Sequence, residues 1–381
     1  MTHWPFAGRF CLAVAVLSAA PAWGQLVDLK GQQWSIVTLG NDPAPGTAGH
    51  EEFIGYIPTL SLVHELNRLS ILDLEWAYRG GMLINGGTDG NVHRFGRQHR
   101  LWVRYAAERL DLRLGLQKIA FGPGQLLRPL AWFDTFDLRD PTGQTEGVTA
   151  IRLQYFLGPR LVVWGWGIRP DVPDSLSGGG RVEYTFGASE VALTFHRHQP
   201  SRLDYTGPPL FFSGNKEERY GLDLRWDGPI GLWTEMVSAR AVAAPVGPLD
   251  RMELAMFGGD YTLPVGLGLY VMAEHLWSRI TIGDLQAVSQ VSQVSMGMAS
   301  YPLGMLDRLL LVVVYSRRQK SLYRFLQWQR TYDNFILTLI GFVNPERSID
   351  AATAFGAQGG VSGQSLATAG RGMQFMIIYN H

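Results

Sequence analysis

The chain has 381 residues, of which 46% are hydrophobic and 17% are charged, and its formal net charge is zero. The charged fraction lies below the roughly 25% typical of soluble domains. The 33 basic residues are balanced by 33 acidic ones, which excludes a dedicated nucleic-acid binder, since such a protein carries a basic stripe. The 12 Trp residues favour a membrane barrel, which places aromatic side chains at both membrane interfaces. A large soluble all-β protein is the alternative.

Residues 1–24 are typical of a cleavable secretory signal. Arg9 supplies the positive charge, Phe10–Ala20 form an apolar run of the usual length, and Ala22-Trp23-Gly24 places small residues before the expected cleavage. The run is too short to span a bilayer as a helix. The only cysteine, Cys11, lies in this segment, so the mature chain is expected to hold no disulfide.

From residue 32 onward, many segments alternate apolar and polar side chains, as half-buried strands do. In the segment 100–109, Leu101 and Val103 fall on one face, and Arg104 falls on the other. The polar faces carry Arg, Asp and Glu, which suits a barrel whose interior is charged and whose outer face meets lipid. The residues expected to face the interior are Asp73, Glu75, Arg100, Arg104, Asp111, Arg113, Arg152, Arg181, Glu183, Arg219, Asp223 and Arg225.

Very short turns alternate with long loops along the chain. The long loops are expected at 80–98, 122–147, 170–180 and 199–217. Short turns on one side and long loops on the other are the signature of outer-membrane barrels. The sequence thus predicts an all-β fold, a transmembrane antiparallel β-barrel of about 18 strands in a single unit over 25–381. The first strand is expected at Gln32–Leu39 and the last at Gly372–Asn380. If 321–343 forms one strand and not a hairpin, the number falls to about 16.

The segment 122–147 is too long for a routine connector, and such loops are often functional. We expect it to fold into the barrel as a constriction loop, where opposed Asp and Arg side chains would tune ion passage. The alternative is an ordered extracellular loop that packs on its own aromatic residues. The candidate constriction residues are Arg128, Trp132, Asp134, Asp137, Arg139 and Asp140.

Residues 100–170 resemble a known group of barrels. The motifs are Phe121-Gly-Pro-Gly, Trp132-Phe133-Asp134-Thr135, Asp137-Leu-Arg-Asp-Pro141 and Leu161-Val-Val-Trp-Gly-Trp-Gly167. They resemble uncharacterised porin-like outer-membrane proteins related to the alginate-export and phosphate-selective porin barrels. This resemblance implies a barrel of roughly 16–18 strands and identifies no substrate.

The last predicted strand resembles the C-terminal sorting strand of outer-membrane proteins, although those usually end in Phe and this chain ends in His381. The resemblance implies three partners: the barrel-assembly machinery, outer-membrane lipid and lipopolysaccharide. It also implies export through the periplasm to the outer membrane of a Gram-negative cell.

No motif predicts catalysis, a cofactor or a metal. The segment around Ser362 misses the nucleophile-elbow spacing. His196 and His198 share one side of a strand, but no further ligand completes a metal site near them. Interior carboxylates, including Glu235 and Glu274, are expected to pair with Arg on neighbouring strands rather than to act as a catalytic pair.

The sequence therefore predicts a passive porin-like channel or exporter for small or polyanionic solutes. A second hypothesis is a closed barrel that binds or assembles surface polysaccharide, such as an anionic one, with aromatic loop residues as sugar platforms. A third is a hydrolytic barrel. Conductance discriminates the first from the second, and the oligomeric state and the solute are left open.

Overall fold

The computed structural model describes residues 25–43, 48–85, 91–134, 143–169, 177–198, 216–242, 249–282, 288–346 and 369–381. No helix within these ranges is long and apolar enough to cross a membrane. The predicted signal segment 1–24 lies outside the described residues. The strands are β1 (Gln25–Gly40), β2 (His50–Asn67), β3 (Ser70–Asn85), β4 (Asn91–Ala107), β5 (Leu110–Gln117), β6 (Val148–Phe156), β7 (Leu161–Ile168), β8 (Ser177–Phe186), β9 (Ser189–His198), β10 (Glu217–Asp227), β11 (Gly231–Ala241), β12 (Leu249–Leu263), β13 (Leu269–Ile282), β14 (Val288–Pro302), β15 (Asp307–Ser316), β16 (Ser321–Thr331), β17 (Phe335–Val343) and β18 (Arg371–Asn380).

These strands form one closed antiparallel barrel. Each strand pairs with the next one in the chain, and β18 pairs with β1, so the sheet of 18 strands has no free edge. Closure satisfies every strand edge, which an open sheet in lipid would leave unpaired. The segment 321–343 forms a hairpin, because β16 and β17 pair from Arg324 to Thr331. The predicted barrel is confirmed, with 18 strands and not 16.

Short turns and longer connections alternate as predicted, but the predicted loop 80–98 is wrong in extent. There β3 continues to Asn85 and β4 begins at Asn91. Gly80, Gly81 and Gly96 lie within these strands, and a Cβ atom at Gly96 would collide with the Tyr78 hydroxyl oxygen. Glycine in a strand often makes room for a neighbouring aromatic ring in this way.

Alternation divides each strand between an outer and an inner face. The outer face exposes large apolar side chains such as Leu193 and Ile151, which are 63% and 50% accessible. The inner face buries charged side chains such as Asp73 and Arg181. Apolar outside and polar inside is the reverse of a soluble protein and matches a barrel in lipid.

The inner face from β3 to β18 has two parts of different character. The charged wall, formed by β3–β10, carries all twelve charged residues that the sequence predicted for the interior. The apolar wall, formed by β11–β18, buries side chains that include Val237, Met252, Leu254, Met256, Met272, Leu276, Met296, Val314 and Tyr323. Among the described residues of the apolar wall, the buried charged ones are Glu235 and Glu274.

One glycine contact offers a test of how the inner face packs. Trp34 of β1 lies directly opposite Gly55 of β2, and a Cβ atom at Gly55 would collide with the Trp34 ring. We expect Gly55→Ala to lower the free energy of unfolding by about 1–3 kcal/mol, because the buried ring must shift. Urea titration of the refolded barrel in lipid, followed by gel mobility, measures this.

Gly341→Ala is the matched control, because a Cβ atom there meets nothing within 4 Å. Equal stability of the two variants would contradict the tight packing of Trp34 on Gly55.

Candidate functional site in the barrel interior

The segment 118–134, which follows β5, lies inside the barrel. Its Phe121 ring stacks on Trp166 of β7 at 5.5 Å, and its Phe133 ring meets the His196 ring of β9 edge-on at 4.9 Å. A Cβ atom at Gly221 of β10 would collide with Leu130. These strands do not neighbour β5 in the sheet, so the segment reaches them across their inner faces.

Glu235 of β11 holds this segment at two points. Its carboxylate accepts the backbone N–H of Gly124 at 2.7 Å and that of Leu130 at 2.9 Å. Both carboxylate oxygens are used, one by each amide. Hydrogen bonds from backbone N–H groups to a carboxylate are charge-assisted and therefore strong.

Glu274 of β13 holds the stretch between those two points. It accepts the backbone N–H groups of Gln125 at 2.8 Å, Leu126 at 2.9 Å and Leu127 at 2.5 Å. The indole N–H of Trp233 donates to it as well, at 2.9 Å. The predicted pairing with Arg is therefore wrong for Glu235 and Glu274, whose hydrogen bonds go to backbone amides of the loop. Sequence periodicity gives the face of a carboxylate but not its partner.

Three of the six candidate constriction residues lie together in this segment. Arg128 donates to the buried Asp134 carboxylate at 2.8 Å, and Lys118 lies 4.0 Å from the same carboxylate. Trp132 lies under the Arg219 guanidinium, 5.9 Å from it. Arg128 and Asp134 thus form an ion pair within the loop, and their charges do not oppose each other across a passage. Three further candidates lie outside the described residues: Asp137, Arg139 and Asp140.

The charged wall is cross-linked by ion pairs between its strands. Arg104 of β4 pairs with Asp73 of β3, and it lies 3.5 Å from Asp111 of β5. Arg152 of β6 reaches the same Asp111 carboxylate at 3.2 Å. One carboxylate therefore links β4 to β6 across the strand between them.

Arg181 links the next part of the wall. Its guanidinium donates to Glu183 on its own strand at 2.6 Å and to Asp223 of β10 at 2.5 Å. Arg219 pairs with Glu217 on β10, and both are buried. Toward the short-turn end, the predicted Arg225 pairs with Asp227 at 2.8 Å, and both side chains are exposed.

Three arginines stand in one row across β4, β5 and β6. Arg104 lies directly opposite Arg113, which lies directly opposite Arg152. Arg113 stacks over the Trp102 ring at 4.2 Å, and the Trp102 indole N–H donates to Glu75 at 3.2 Å. Like charges directly across a ladder repel, so the neighbouring carboxylates and aromatic faces must offset this repulsion.

The last part of the loop, 143–147, forms a polar bridge that the sequence did not suggest. Gln144 bonds His99 of β4 at 3.0 Å and Gln32 of β1 at 3.1 Å, and Gln32 donates to Asn380 of β18 at 3.2 Å. We call these four side chains the polar bridge. Three of the four are uncharged amides, so neither the charge pattern nor the apolar–polar alternation of the sequence identified them as a group.

A cavity of about 620 Å³ lies beside the polar bridge, on the inner side of β1–β4. In a ring of 18 strands, β1 and β2 lie opposite β10 and β11, where the segment 118–134 is held. The segment 118–134 and the cavity therefore occupy opposite sides of the interior. The lining residues are Asp28, Leu29, Lys30, Gly31, Gln32, Ile57, Thr59, Glu75, Ala77, His99, Arg100, Gln144, Asn334, Asn380 and His381.

His196 belongs to an aromatic cluster. It accepts the Trp166 indole N–H at 3.2 Å, and the Phe133 ring packs against it. Within the described part of the chain, no group of three His, Cys, Asp or Glu side chains could hold a metal ion.

No family model and no curated protein matches the chain. Among solved structures, the porin OmpF of Salmonella typhi, in complex with daunomycin, matches with a TM-score of 0.51 at 10% identity, over 93% of this chain and 97% of its own. A mutant porin of Rh. blastica covers 93% of this chain and 100% of its own, with a TM-score of 0.48 at 9% identity. A loop-deletion mutant of OmpT from Vibrio cholerae covers 94% and 99%, with a TM-score of 0.48 at 11% identity. The OmpF likeness shows that the chain has the fold of an outer-membrane porin.

We predict that the segment 118–134 loosens when one of the two carboxylates that hold it is removed. Glu274→Gln removes the charge and one acceptor oxygen, and each buried amide left without an acceptor costs about 1–3 kcal/mol. We expect a cysteine placed at Ala131 in the loop to react at least about ten times faster with a thiol reagent in this variant, since about 1.4 kcal/mol changes an equilibrium tenfold.

A chain that begins at Gln25 holds no other cysteine, so the labelling reports this position alone. Glu253→Gln is the control, because Glu253 is only partly buried and bonds Arg279 at 3.4 Å. An unchanged labelling rate in Glu274→Gln would contradict the role of this carboxylate in holding the loop.

Proposed function

We propose that the protein is a passive outer-membrane channel through which small hydrophilic solutes cross by an off-centre passage. The observation that carries this proposal is the division of the interior. The segment 118–134 is fixed on one side, and the cavity of about 620 Å³ stays open on the other. Porin barrels have a water-filled interior, and a segment held on one side of it would narrow the passage without closing it.

The charges of the interior support weak ion selectivity. The charged wall carries both signs, and most of its carboxylates are paired with Arg on the same strand, the next strand or the next but one. Rings of a single sign are what give a channel strong selectivity. Polyanions are a second candidate cargo, because the interior also carries the row of Arg104, Arg113 and Arg152 outside the cavity lining, and because the sequence resembles alginate-export and phosphate-selective porin barrels.

The partners and location follow from the same proposal. The exposed apolar belt would contact outer-membrane lipid and lipopolysaccharide, and the barrel-assembly machinery would insert the chain after export through the periplasm. The channel would carry out no enzymatic step and need no cofactor.

Single-channel recording in a planar bilayer tests this function. Discrete, ohmic current steps from the refolded protein are expected, with a small reversal potential in a salt gradient. A folded barrel that gives no steps would overturn the channel proposal and favour the closed, polysaccharide-binding alternative.

The off-centre passage predicts which wall controls the conductance. Thr59→Trp places a bulky ring in the cavity lining, and we expect it to lower the unit conductance by about half or more. Thr185→Trp is the matched control, because Thr185 is exposed on the inner face of β8, away from β1–β4, and does not line the cavity. Equal conductance in the two variants would contradict a passage along β1–β4.

A further inference from the structure

We propose that the cavity over β1–β4 is a binding site for an uncharged polyhydroxylated solute of mono- or disaccharide size. This inference rests on the proposed channel and names the class of solute that the passage holds. Three features carry it: the state of the charges in the lining, the hydrogen-bonding groups and the size.

The four charged side chains of the lining are already engaged by groups of the protein. Lys30 pairs with Asp28 at 2.5 Å. Arg100 donates to two backbone carbonyls at 2.6 Å each, and Glu75 accepts the Trp102 indole N–H at 3.2 Å. The two positive and two negative charges also cancel. A charged solute entering here would lose hydration at a lining whose side chains carry no net charge, which is costly.

The uncharged polar groups of the lining suit hydroxyl groups. The lining holds four amide side chains, Gln32, Gln144, Asn334 and Asn380. Gln32, Gln144 and Asn380 already bond one another in the polar bridge. Because an amide has donors and acceptors, as a hydroxyl does, a polyol can exchange hydrogen bonds with this network. Ile57 and Ala77 add apolar atoms to the lining.

The size and position of the cavity agree with this class. About 620 Å³ lies within the roughly 300–1,000 Å³ of typical small-molecule pockets. Asn334 lies in the short turn between β16 and β17, and Asn380 ends β18, so the cavity extends toward the short-turn end of the barrel. The row of Arg104, Arg113 and Arg152 is not part of the lining, so an anion would find its partners elsewhere.

Isothermal titration with sucrose tests the site independently of conductance. The barrel is refolded in a polyoxyethylene detergent, because detergents with sugar headgroups would compete. We expect saturable binding of sucrose and none of gluconate at the same concentrations. Absence of saturable sucrose binding to a barrel that is folded by gel mobility would overturn the site. Gluconate binding as tight as that of sucrose would overturn the uncharged class.

Two variants place the binding in the cavity. Gln32→Ala and Gln144→Ala are each expected to weaken sucrose binding at least about fivefold, because each removes an amide that can bond a hydroxyl. Gln327→Ala is the matched control, since Gln327 lies on the inner face of β16 outside the lining. Unchanged affinity in both cavity variants would overturn the placement.

The same titration separates the two proposals. Conducting channels that bind no sucrose would leave the channel standing and overturn this inference. A silent barrel that binds sucrose with the expected variant pattern would overturn the channel and keep the site.

Discussion

The interior of this barrel depends on two carboxylates placed in an apolar wall. Glu235 and Glu274 are almost fully buried, and a carboxylate there is costly unless its charge is met by donors. The donors are five backbone amides of one irregular segment, which themselves need acceptors because they belong to no sheet. The carboxylates supply the acceptors that the amides need, and the amides supply the donors that the buried carboxylates need. Without the other, either set of groups would be buried with unsatisfied hydrogen bonds.

This mutual dependence decides where a solute can pass. The segment 118–134 lies against the strands from β7 to β13, and the space that remains lies over β1–β4. The charged wall is stiffened by ion pairs that cross its strands, such as those of Arg181 with Asp223 and of Arg152 with Asp111. Paired charges on a rigid wall offer a solute a polar surface without a strong net field, which fits a passage of weak selectivity.

The sequence predicts the barrel well because a strand has a period of two, and that period alone assigns each side chain to a face. It thereby placed Arg104 and Asp223 on the inner face and separated the strands at the hairpin of β16 and β17. It failed at 80–98, which was expected to be a loop, whereas Gly96 lies in β4 and makes room for Tyr78. The polar bridge could not be found, because Gln144 and Gln32 are 112 residues apart and uncharged.

The apolar wall also explains why an irregular loop can pack inside a regular barrel. Met252, Met256 and Met272 belong to the same buried cluster as the aromatic residues of the loop. Methionine is unbranched and flexible, so it fills the uneven gaps that a non-repeating backbone leaves. Such contacts are adaptable and would allow the loop to slide, whereas Glu235 and Glu274 accept hydrogen bonds only from correctly placed amides. Packing therefore supplies the contact area, and the two carboxylates set the position of the loop, which in turn leaves the cavity on the opposite side open.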